Sequence, residues 1–327
     1  VESITVLKDA VSRSMYGAFG DKGVIMVTTK RGKAYKKIMN FQAEMGISQP
    51  IQNTLPKFMN SADYLQTLRG LYPTDSAYSV RKISDTRNGI NPAINPNNDF
   101  YSSEFLKSQT QYQSFRAESS GGNKMAQYYL NVGWQHNNGW QKLNSETTDK
   151  LNIRGNVDYQ LSDNFKMTLD AGALVNIMKS SNIDDYWKTA STVLPNAYPL
   201  YWDPATITST AKRDSILKSA VLLPNGMLVG GNTTYPTNFY GDIFKRGNQV
   251  TYERNLQVNV GAEWDLKFLL PGLKAKGYLA LDAYNTLIKE QSGLYATYSP
   301  TSIKSKMDGS DSIINVAAIW KKAKNSH

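Results

Sequence analysis

Long runs of alternating apolar and polar residues constrain the fold of this chain more than any other feature. Within residues 37–48, every second position from Met39 to Ile47 is apolar, and the residues between them are polar or small. Such a period of two predicts β-strands with one apolar face and one polar face. The same pattern recurs in residues 126–135, 150–160, 164–176, 255–266 and 273–283. The chain is therefore predicted to be all-β, with seven or eight antiparallel strands.

The length of these strands and of their connections points beyond an ordinary soluble sheet. The alternating runs span about ten to thirteen residues, whereas soluble strands typically have about five or six and a tilted membrane strand needs about 9–11. Residues 160–164 and 266–273 read as short turns, but residues 178–247 form one long connection. Short turns at one end and long loops at the other are typical of outer-membrane barrels. The pattern predicts a transmembrane antiparallel β-barrel.

Composition excludes several functional classes. The 327 residues include no cysteine and only two histidines, His136 and His327. Disulfide scaffolds, thiolate metal sites and thiol nucleophiles are therefore excluded, and no acid–base or nucleophile constellation can be assembled. We predict no enzyme activity, no metal and no cofactor. The formal charge of +10 comes from scattered lysines and arginines without a nucleic-acid motif, so no nucleic-acid partner is predicted.

The stretch SMYGAFGDKGVIMVTTKRGK, residues 14–33, raises the question of a phosphate-binding loop. Such loops run from a strand through a glycine turn into a helix, so that the helix N-terminus faces the anion. Here the order is reversed, because a helix over residues 10–16 precedes the glycines and a strand over residues 24–30 follows them. The glycines are therefore predicted to shape turns, where their backbone freedom and small size are needed.

Residues 1–33 read VESITVLKDAVSRSMYGAFGDKGVIMVTTKRGK. This stretch closely resembles the C-terminal end of the plug domain in SusC/RagA-type TonB-dependent outer-membrane transporters. Asp21 and Lys22 depart from the usual Ala-Asn pair but leave the turn glycines intact. Residues 120–140 and 151–167 resemble early barrel strands of the same family. Tyr16, Gly17, Gly20 and Gly23 form its plug turn motif. The positions of the plug that match are Glu2, Ile4, Val6, Leu7, Lys8, Asp9, Ala10, Tyr16, Gly17, Gly20, Gly23, Val24, Thr28, Thr29, Lys30 and Gly32.

The resemblance implies a larger architecture than this chain contains. Family members close some 22 strands around an α+β plug. Residues 1–33 would be the end of that plug, and residues 34–327 would be the first 7–8 strands with their long extracellular loops. The TonB-binding segment, most of the plug and the later strands would lie outside this chain.

The resemblance also implies the function and its setting. It implies TonB-dependent active import of glycan oligosaccharides or peptides across the outer membrane of a Gram-negative bacterium. The implied partners are a SusD-like surface lipoprotein, TonB and outer-membrane lipid, and the implied assembly is a dimer of transporter–lipoprotein pairs. The alternative from another class is a soluble, secreted all-β carbohydrate-binding or adhesion protein, which would bury the apolar strand faces in a core.

The long loops carry the candidate contact residues. Helices are predicted over residues 61–71 and 184–194, and aromatic residues cluster in the second loop. These aromatics either contact a substrate or the lipoprotein, or pack the loop against itself. The candidates are Tyr198, Tyr201, Trp202, Tyr235, Phe239 and Tyr240.

Overall fold

The computed structural model describes residues 1–14, 17–20, 22–51, 56–181, 186–305 and 311–320. These residues form strands of very unequal length. In chain order the strands are β1 (Ser3–Leu7), β2 (Val24–Thr28), β3 (Ile38–Ser48), β4 (Thr110–Gly122), β5 (Ala126–Asn138), β6 (Thr147–Ser162), β7 (Phe165–Ser181), β8 (Tyr201–Trp202), β9 (Leu228–Val229), β10 (Gly247–Asp265), β11 (Lys274–Ser292), β12 (Ala296–Ser305) and β13 (Asp311–Trp320).

The helices are short and lie outside the main sheet. None of the helices within the described ranges is long and apolar enough to cross a membrane. The predicted helix over residues 61–71 is confirmed, and the side chain of Asn60 caps it by accepting from the Asp63 N–H. The α-helices are α1 (Ala10–Ser14), α2 (Ser61–Leu71), α3 (Val80–Arg87), α4 (Tyr186–Thr192), α5 (Thr210–Ser219) and α6 (Phe239–Lys245).

Seven long strands form one antiparallel sheet, in the order β11-β10-β7-β6-β5-β4-β3. Each strand therefore lies beside its predecessor in the sheet, and the six runs predicted from alternation are confirmed. The predicted runs underestimate the lengths of the strands, since β10 and β11 each span 19 residues. The alternation did not reveal β4, because serines and glycines fill its C-terminal half.

The two ends of the sheet differ in the length of their connections, as the sequence predicts. Short connections at one end join β4 to β5, β6 to β7 and β10 to β11. At the other end, residues 49–109 connect β3 to β4, and residues 182–246 connect β7 to β10. Each of these long connections contains helices. The sheet is open among the described residues, with β3 and β11 as its edges.

The apolar face of the sheet is exposed rather than packed into a core. Leu130, Leu256 and Val260 alternate with polar residues and remain 43%, 45% and 37% exposed. The soluble alternative requires these faces to be buried against each other, and the structure does not provide that burial. An exposed apolar band on a long-stranded sheet is instead typical of a barrel wall facing lipid.

The buried core lies in the loops, at the end of the sheet that carries the long connections. Its three clusters draw on residues 93–106, 186–243, 295–298 and 313, which we call the loop unit. The hairpin of β12 and β13 joins the second long connection through bridges from Ile207 to Ile313 and from Gly230 to Tyr298. The largest fully buried side chains of this unit include Phe105, Ile207, Leu228, Phe239 and Tyr298.

Candidate functional site

A short segment, residues 29–33, crosses the polar face of the sheet, and we call it the crossing segment. It follows the small antiparallel pair of β1 and β2, in which Ser3 pairs with Thr28. After the segment, the Tyr35 N–H donates to the Gly122 carbonyl oxygen at 2.8 Å, and the chain then enters β3. The crossing segment therefore links the β1–β2 pair to the first strand of the sheet.

Arg31 anchors the crossing segment to two neighbouring strands. Its guanidinium donates to Asp158 on β6 and to both carboxylate oxygens of Asp170 on β7, the latter at 2.8 and 2.9 Å. Asp158 also accepts from Lys166 at 3.2 Å. Charge-assisted hydrogen bonds of this forked kind combine strength with fixed orientation. The arginine therefore sets the position of the segment across the sheet.

Lys30 and the backbone add contacts on the other side of the segment. The Lys30 ammonium lies 3.1 Å from Glu118, whose carboxylate also accepts from the Tyr129 hydroxyl at 3.1 Å. The side chain of Asn156, which is buried, donates to the Lys30 carbonyl oxygen at 2.9 Å. Strands β4 and β6 thus each supply a polar partner to the segment, and Tyr129 on β5 supports Glu118.

Gly32 allows the segment to lie directly on the sheet. A Cβ atom at this position would lie 2.6 Å from the Gly121 carbonyl oxygen and from the Tyr128 nitrogen. No side chain can occupy that space without moving backbone atoms, so the close approach requires glycine.

The predicted plug turn motif lies before β2. Its role in a plug domain stays a prediction. Gly17 and Gly23 have φ angles of +58° and +102°, which favour glycine. Gly20 is buried in the short 3₁₀ helix Gly17–Gly20. Tyr16 lies outside the described residues. The helix predicted over residues 10–16 is described as Ala10–Ser14, and the strand predicted to end at residue 30 ends at Thr28.

Two clefts flank the crossing segment on the polar face. One, of about 470 Å³, lies over β4, β5 and β6. The other, of about 440 Å³, lies over β6, β7 and β10. The crossing segment and Arg154 line both clefts. A solute on the polar face could contact the sheet in either cleft.

The structure places the six predicted aromatic residues in the loop unit, but it buries three of them. Tyr198, Trp202 and Phe239 are almost completely inaccessible, and the Trp202 indole N–H donates to the Tyr298 carbonyl oxygen. Tyr201, Tyr235 and Tyr240 are partly buried against the same clusters. Packing of the loop against itself therefore accounts for all six positions. A role of any of them in ligand contact stays a prediction.

Asn238, which the sequence analysis did not single out, organises the loop unit. It is fully buried, and its amide nitrogen lies within 3.0 Å of the carbonyl oxygens of Pro199, Leu200 and Gly230. Its side-chain oxygen caps α6 by accepting from the Tyr240 N–H at 2.7 Å. One side chain therefore joins two loops and a helix. An asparagine two residues after a proline carries no signal that would have revealed this role.

Tyr295 completes the same polar cluster. Its hydroxyl accepts from the Asn238 N–H at 3.0 Å and donates to the Asp242 carboxylate at 2.8 Å. Burial raises the pKa of Tyr295, and the neighbouring carboxylate raises it further. Burial also raises the pKa of Tyr198, whose hydroxyl accepts from the Phe239 N–H. Both phenols therefore stay neutral and act as fixed hydrogen-bonding groups.

A second aromatic group lies on the surface of the loops. The rings of Phe58 and Tyr101 stack with centroids 5.3 Å apart, and Trp187 lies 6.0 Å from Tyr101. Phe58 is 53% exposed and Trp187 is 43% exposed. Unlike Tyr198 and Phe239, these rings are accessible from outside the loop unit. Sequence reasoning missed them because they come from three distant parts of the chain.

Sequence comparison finds relatives among TonB-dependent receptors. The chain is 26% identical over 249 residues to TonB-dependent receptor P26 of Formosa agariphila, a match that covers 75% of this chain and 23% of the relative. It is also 26% identical over 248 residues to TonB-dependent receptor P3 of the same organism, covering 73% and 23%. The chain therefore spans less than a quarter of the length of the curated relatives it matches. No protein-family model matches it.

Structural comparison finds the same architecture in solved transporters. The RagAB peptide importer in its closed-closed state matches with a TM-score of 0.62 and 19% identity, covering 87% of this chain and 32% of the other. The open-open state gives a TM-score of 0.60 and 18% identity, covering 90% and 34%. The predicted resemblance to SusC/RagA-type TonB-dependent transporters is thereby confirmed: the chain is a relative of TonB-dependent receptors and has the fold of part of the RagAB importer.

Proposed function

We propose that the chain is part of a transporter that imports nutrients across the outer membrane of a Gram-negative bacterium, driven by TonB. The observation that carries the proposal is the crossing segment, which is fixed by Arg31, Lys30 and Gly32 on the polar face of a sheet whose other face is apolar and exposed. A polar lumen that holds part of a plug, within a wall that faces lipid, is the arrangement that such a transporter needs. The similarity to TonB-dependent receptors supports the same conclusion.

In this proposal residues 1–33 are the end of the plug, and residues 34–327 are the first barrel strands and their extracellular loops. The sheet has two unpaired edges among its described strands, and unpaired edges are not tolerated in hydrocarbon. Further strands of the whole protein would therefore close the barrel. TonB would act through a segment outside this chain.

The substrate and the surface partner are also proposals. The solved neighbours are described as a peptide importer, and peptides or glycan oligosaccharides are the two substrate classes proposed for this chain. A SusD-like lipoprotein would cover the end of the barrel that carries the loop unit, and the transporter–lipoprotein pairs would form a dimer. The exposed rings of Phe58 and Trp187, together with the partly buried ring of Tyr101, offer a surface for this lipoprotein, because aromatic side chains are enriched at protein interfaces.

An uptake experiment tests the proposed function. The whole gene would be deleted in its native host, and depletion of oligosaccharides and peptides from the medium would be followed by mass spectrometry. We expect at least one solute class to persist in the medium of the deletion strain. Complementation with the whole gene should restore uptake, whereas the same gene without its TonB-binding segment should not. Restoration by both forms of the gene would contradict TonB-dependent import.

Extraction from membranes with and without detergent tests the proposed location in the outer membrane. The native protein should remain in the membrane until detergent is added, and it should then carry a lipoprotein. Release of this protein without detergent would favour the soluble carbohydrate-binding or adhesion alternative.

A further inference from the structure

The larger cleft beside the crossing segment has a strongly positive lining. Its charged side chains are one carboxylate and four cations, namely Glu118, Lys30, Arg116, Lys150 and Arg154. Glu118 is already engaged by Lys30 and by the Tyr129 hydroxyl. No ion pair joins Arg116, Lys150 or Arg154 to any residue in the described ranges. Three cations therefore face one cleft without a carboxylate partner from this part of the chain.

These cations come from strands that fix their relative positions. Arg116 lies on β4, and Lys150 and Arg154 lie four residues apart on β6, on the same face of that strand. Arg154 extends beside Gly172 on β7, and its guanidinium atoms lie 3.5 and 3.7 Å from the position that a Cβ would take there, which is ordinary van der Waals contact. The sheet thus holds the charged groups on a rigid wall, as recognition of a ligand requires.

Several hydrogen-bonding side chains share this lining with apolar atoms. Ser114, Asn131, Gln135 and Asn152 line the same cleft and occupy the polar face with Arg116 and Arg154. By alternation, Phe115 and Trp134 point to the opposite, apolar face, so the polar face offers few apolar side chains. The amides, hydroxyls and cations of this face together suit a hydroxyl-rich anion.

We propose that this cleft binds an acidic oligosaccharide, whose carboxylate or sulfate groups pair with Arg116, Lys150 and Arg154 while its hydroxyls bond to the neighbouring amides. Arginine is suited to either acid group, because its planar fork can donate two parallel hydrogen bonds. The positive field of the cleft would also raise the local concentration of an anionic solute. This inference deepens the proposed transport function and rests on it for the direction of substrate flow.

Binding to the whole purified transporter tests the inference without requiring import. The probes would be oligomers of galacturonic acid, alginate and a sulfated galactan, each measured by isothermal titration calorimetry. Each acidic probe would be matched to a neutral counterpart, namely a methyl ester or a desulfated oligomer of the same length. An acidic peptide of equal charge would serve as a further comparison. We expect at least one acidic oligosaccharide to bind at least tenfold tighter than its neutral counterpart, with affinity that falls as salt is raised.

Substitutions of the cleft cations then test whether the oligosaccharide binds in this cleft. R154Q and K150Q should each weaken binding of that oligosaccharide by about tenfold or more, because each removes a charged hydrogen-bond donor. K124Q is the matched control, since it removes the same charge in the short turn between β4 and β5, away from the cleft. Thermal unfolding of each variant would confirm that the barrel is intact.

Three results would overturn the inference. The first is that the neutral counterparts bind the transporter as tightly as every acidic probe. The second is that the R154Q and K150Q variants bind the acidic oligosaccharide as tightly as K124Q does. The third is that the acidic peptide binds at least as tightly as every oligosaccharide. Loss of TonB-dependent uptake in cells, with binding of the acidic probe intact, would count against the transport function alone. Intact uptake without preference for acidic oligosaccharides would count against this inference alone.

Discussion

The sheet and the loop unit are stabilised in different ways. In the sheet, register is continuous over long strands, side chains alternate between the two faces, and large apolar residues such as Leu130 and Val260 remain exposed. The loop unit has little regular structure, yet it contains the large buried side chains and the polar cluster around Asn238. Backbone pairing therefore defines the sheet, whereas side-chain packing and a few buried hydrogen bonds define the loops.

This difference predicts different sensitivity to substitution. A sheet with continuous pairing spreads its stability over many backbone hydrogen bonds, so single changes on its polar face should be tolerated. The loop unit concentrates its stability in a few buried groups, and removal of one of them leaves several partners without hydrogen bonds. The following substitutions test this contrast, in order of decreasing expected effect.

The largest effect is expected in the loop unit from Asn238→Leu. This change keeps the side chain at a similar size but removes the bonds to three carbonyl oxygens and the cap of α6, so it should destabilise the loops by about 3–5 kcal/mol. Limited proteolysis should cut the loops, whereas the barrel should still resist SDS without heating. Asn225→Leu is the control, because this exposed asparagine of the same unit accepts from the Met227 N–H in a surface turn, and its loss should destabilise the loops far less. Equal proteolysis of both variants would contradict the role assigned to Asn238.

The next effect concerns the apolar face of the sheet. Leu130→Arg should destabilise the barrel by about 2–4 kcal/mol, because it places a charge in hydrocarbon. Gln257→Arg, on the polar face of β10 and opposite Asp282 on β11, should cost less than about 1 kcal/mol. Urea unfolding of the whole protein in lipid vesicles would measure both values. If the two variants were equally stable, the assignment of lipid and lumen faces would be wrong.

A smaller effect is expected where the crossing segment meets the sheet. Gly32→Ala introduces a methyl group against backbone atoms of Gly121 and Tyr128, which should cost about 1–3 kcal/mol. Hydrogen exchange should increase around residues 29–35. Gly277→Ala is the matched control, because a Cβ atom there would meet no other atom within 4 Å, so exchange should stay unchanged. Comparable exchange in the two variants would argue against close packing at Gly32.

The smallest effect is expected from Arg31→Gln. The arginine side chain is about a third exposed, and water therefore screens its ion pairs with Asp158 and Asp170, so we expect a loss of about 1 kcal/mol. Hydrogen exchange of the crossing segment should rise, and the difference from the original protein should shrink at high salt. Arg213→Gln on helix α5 removes the same charge in the loops and should leave that exchange unaltered. A salt-independent change would indicate lost packing rather than lost charge.

The sequence predicted the sheet well and the loop unit poorly. Alternation identifies a strand where one face is apolar. Within the seven-stranded sheet it failed only for β4, whose serines and glycines weaken the contrast. The resemblance assigned residues 1–33 to the end of the plug, on a pattern that includes Gly17, Gly20, Gly23 and Gly32, but it did not reveal the ion pairs of Arg31. In the loop unit the contacts join residues far apart in the chain, such as Asn238 with Pro199 and Tyr295. No local pattern encodes such contacts, so the aromatic residues could be located by sequence but not assigned as buried or exposed.

Labelling of single cysteines along β10 tests the central claim most directly. This chain contains no cysteine, so one can be introduced at each of residues 257–260 in turn. In intact outer membranes, a water-soluble maleimide should react with cysteines replacing Gln257 and Asn259, which would face the aqueous lumen. Cysteines replacing Val258 and Val260 should react only after denaturation, because they would face lipid. Equal reaction at all four positions would contradict a barrel wall with one lumen face and one lipid face.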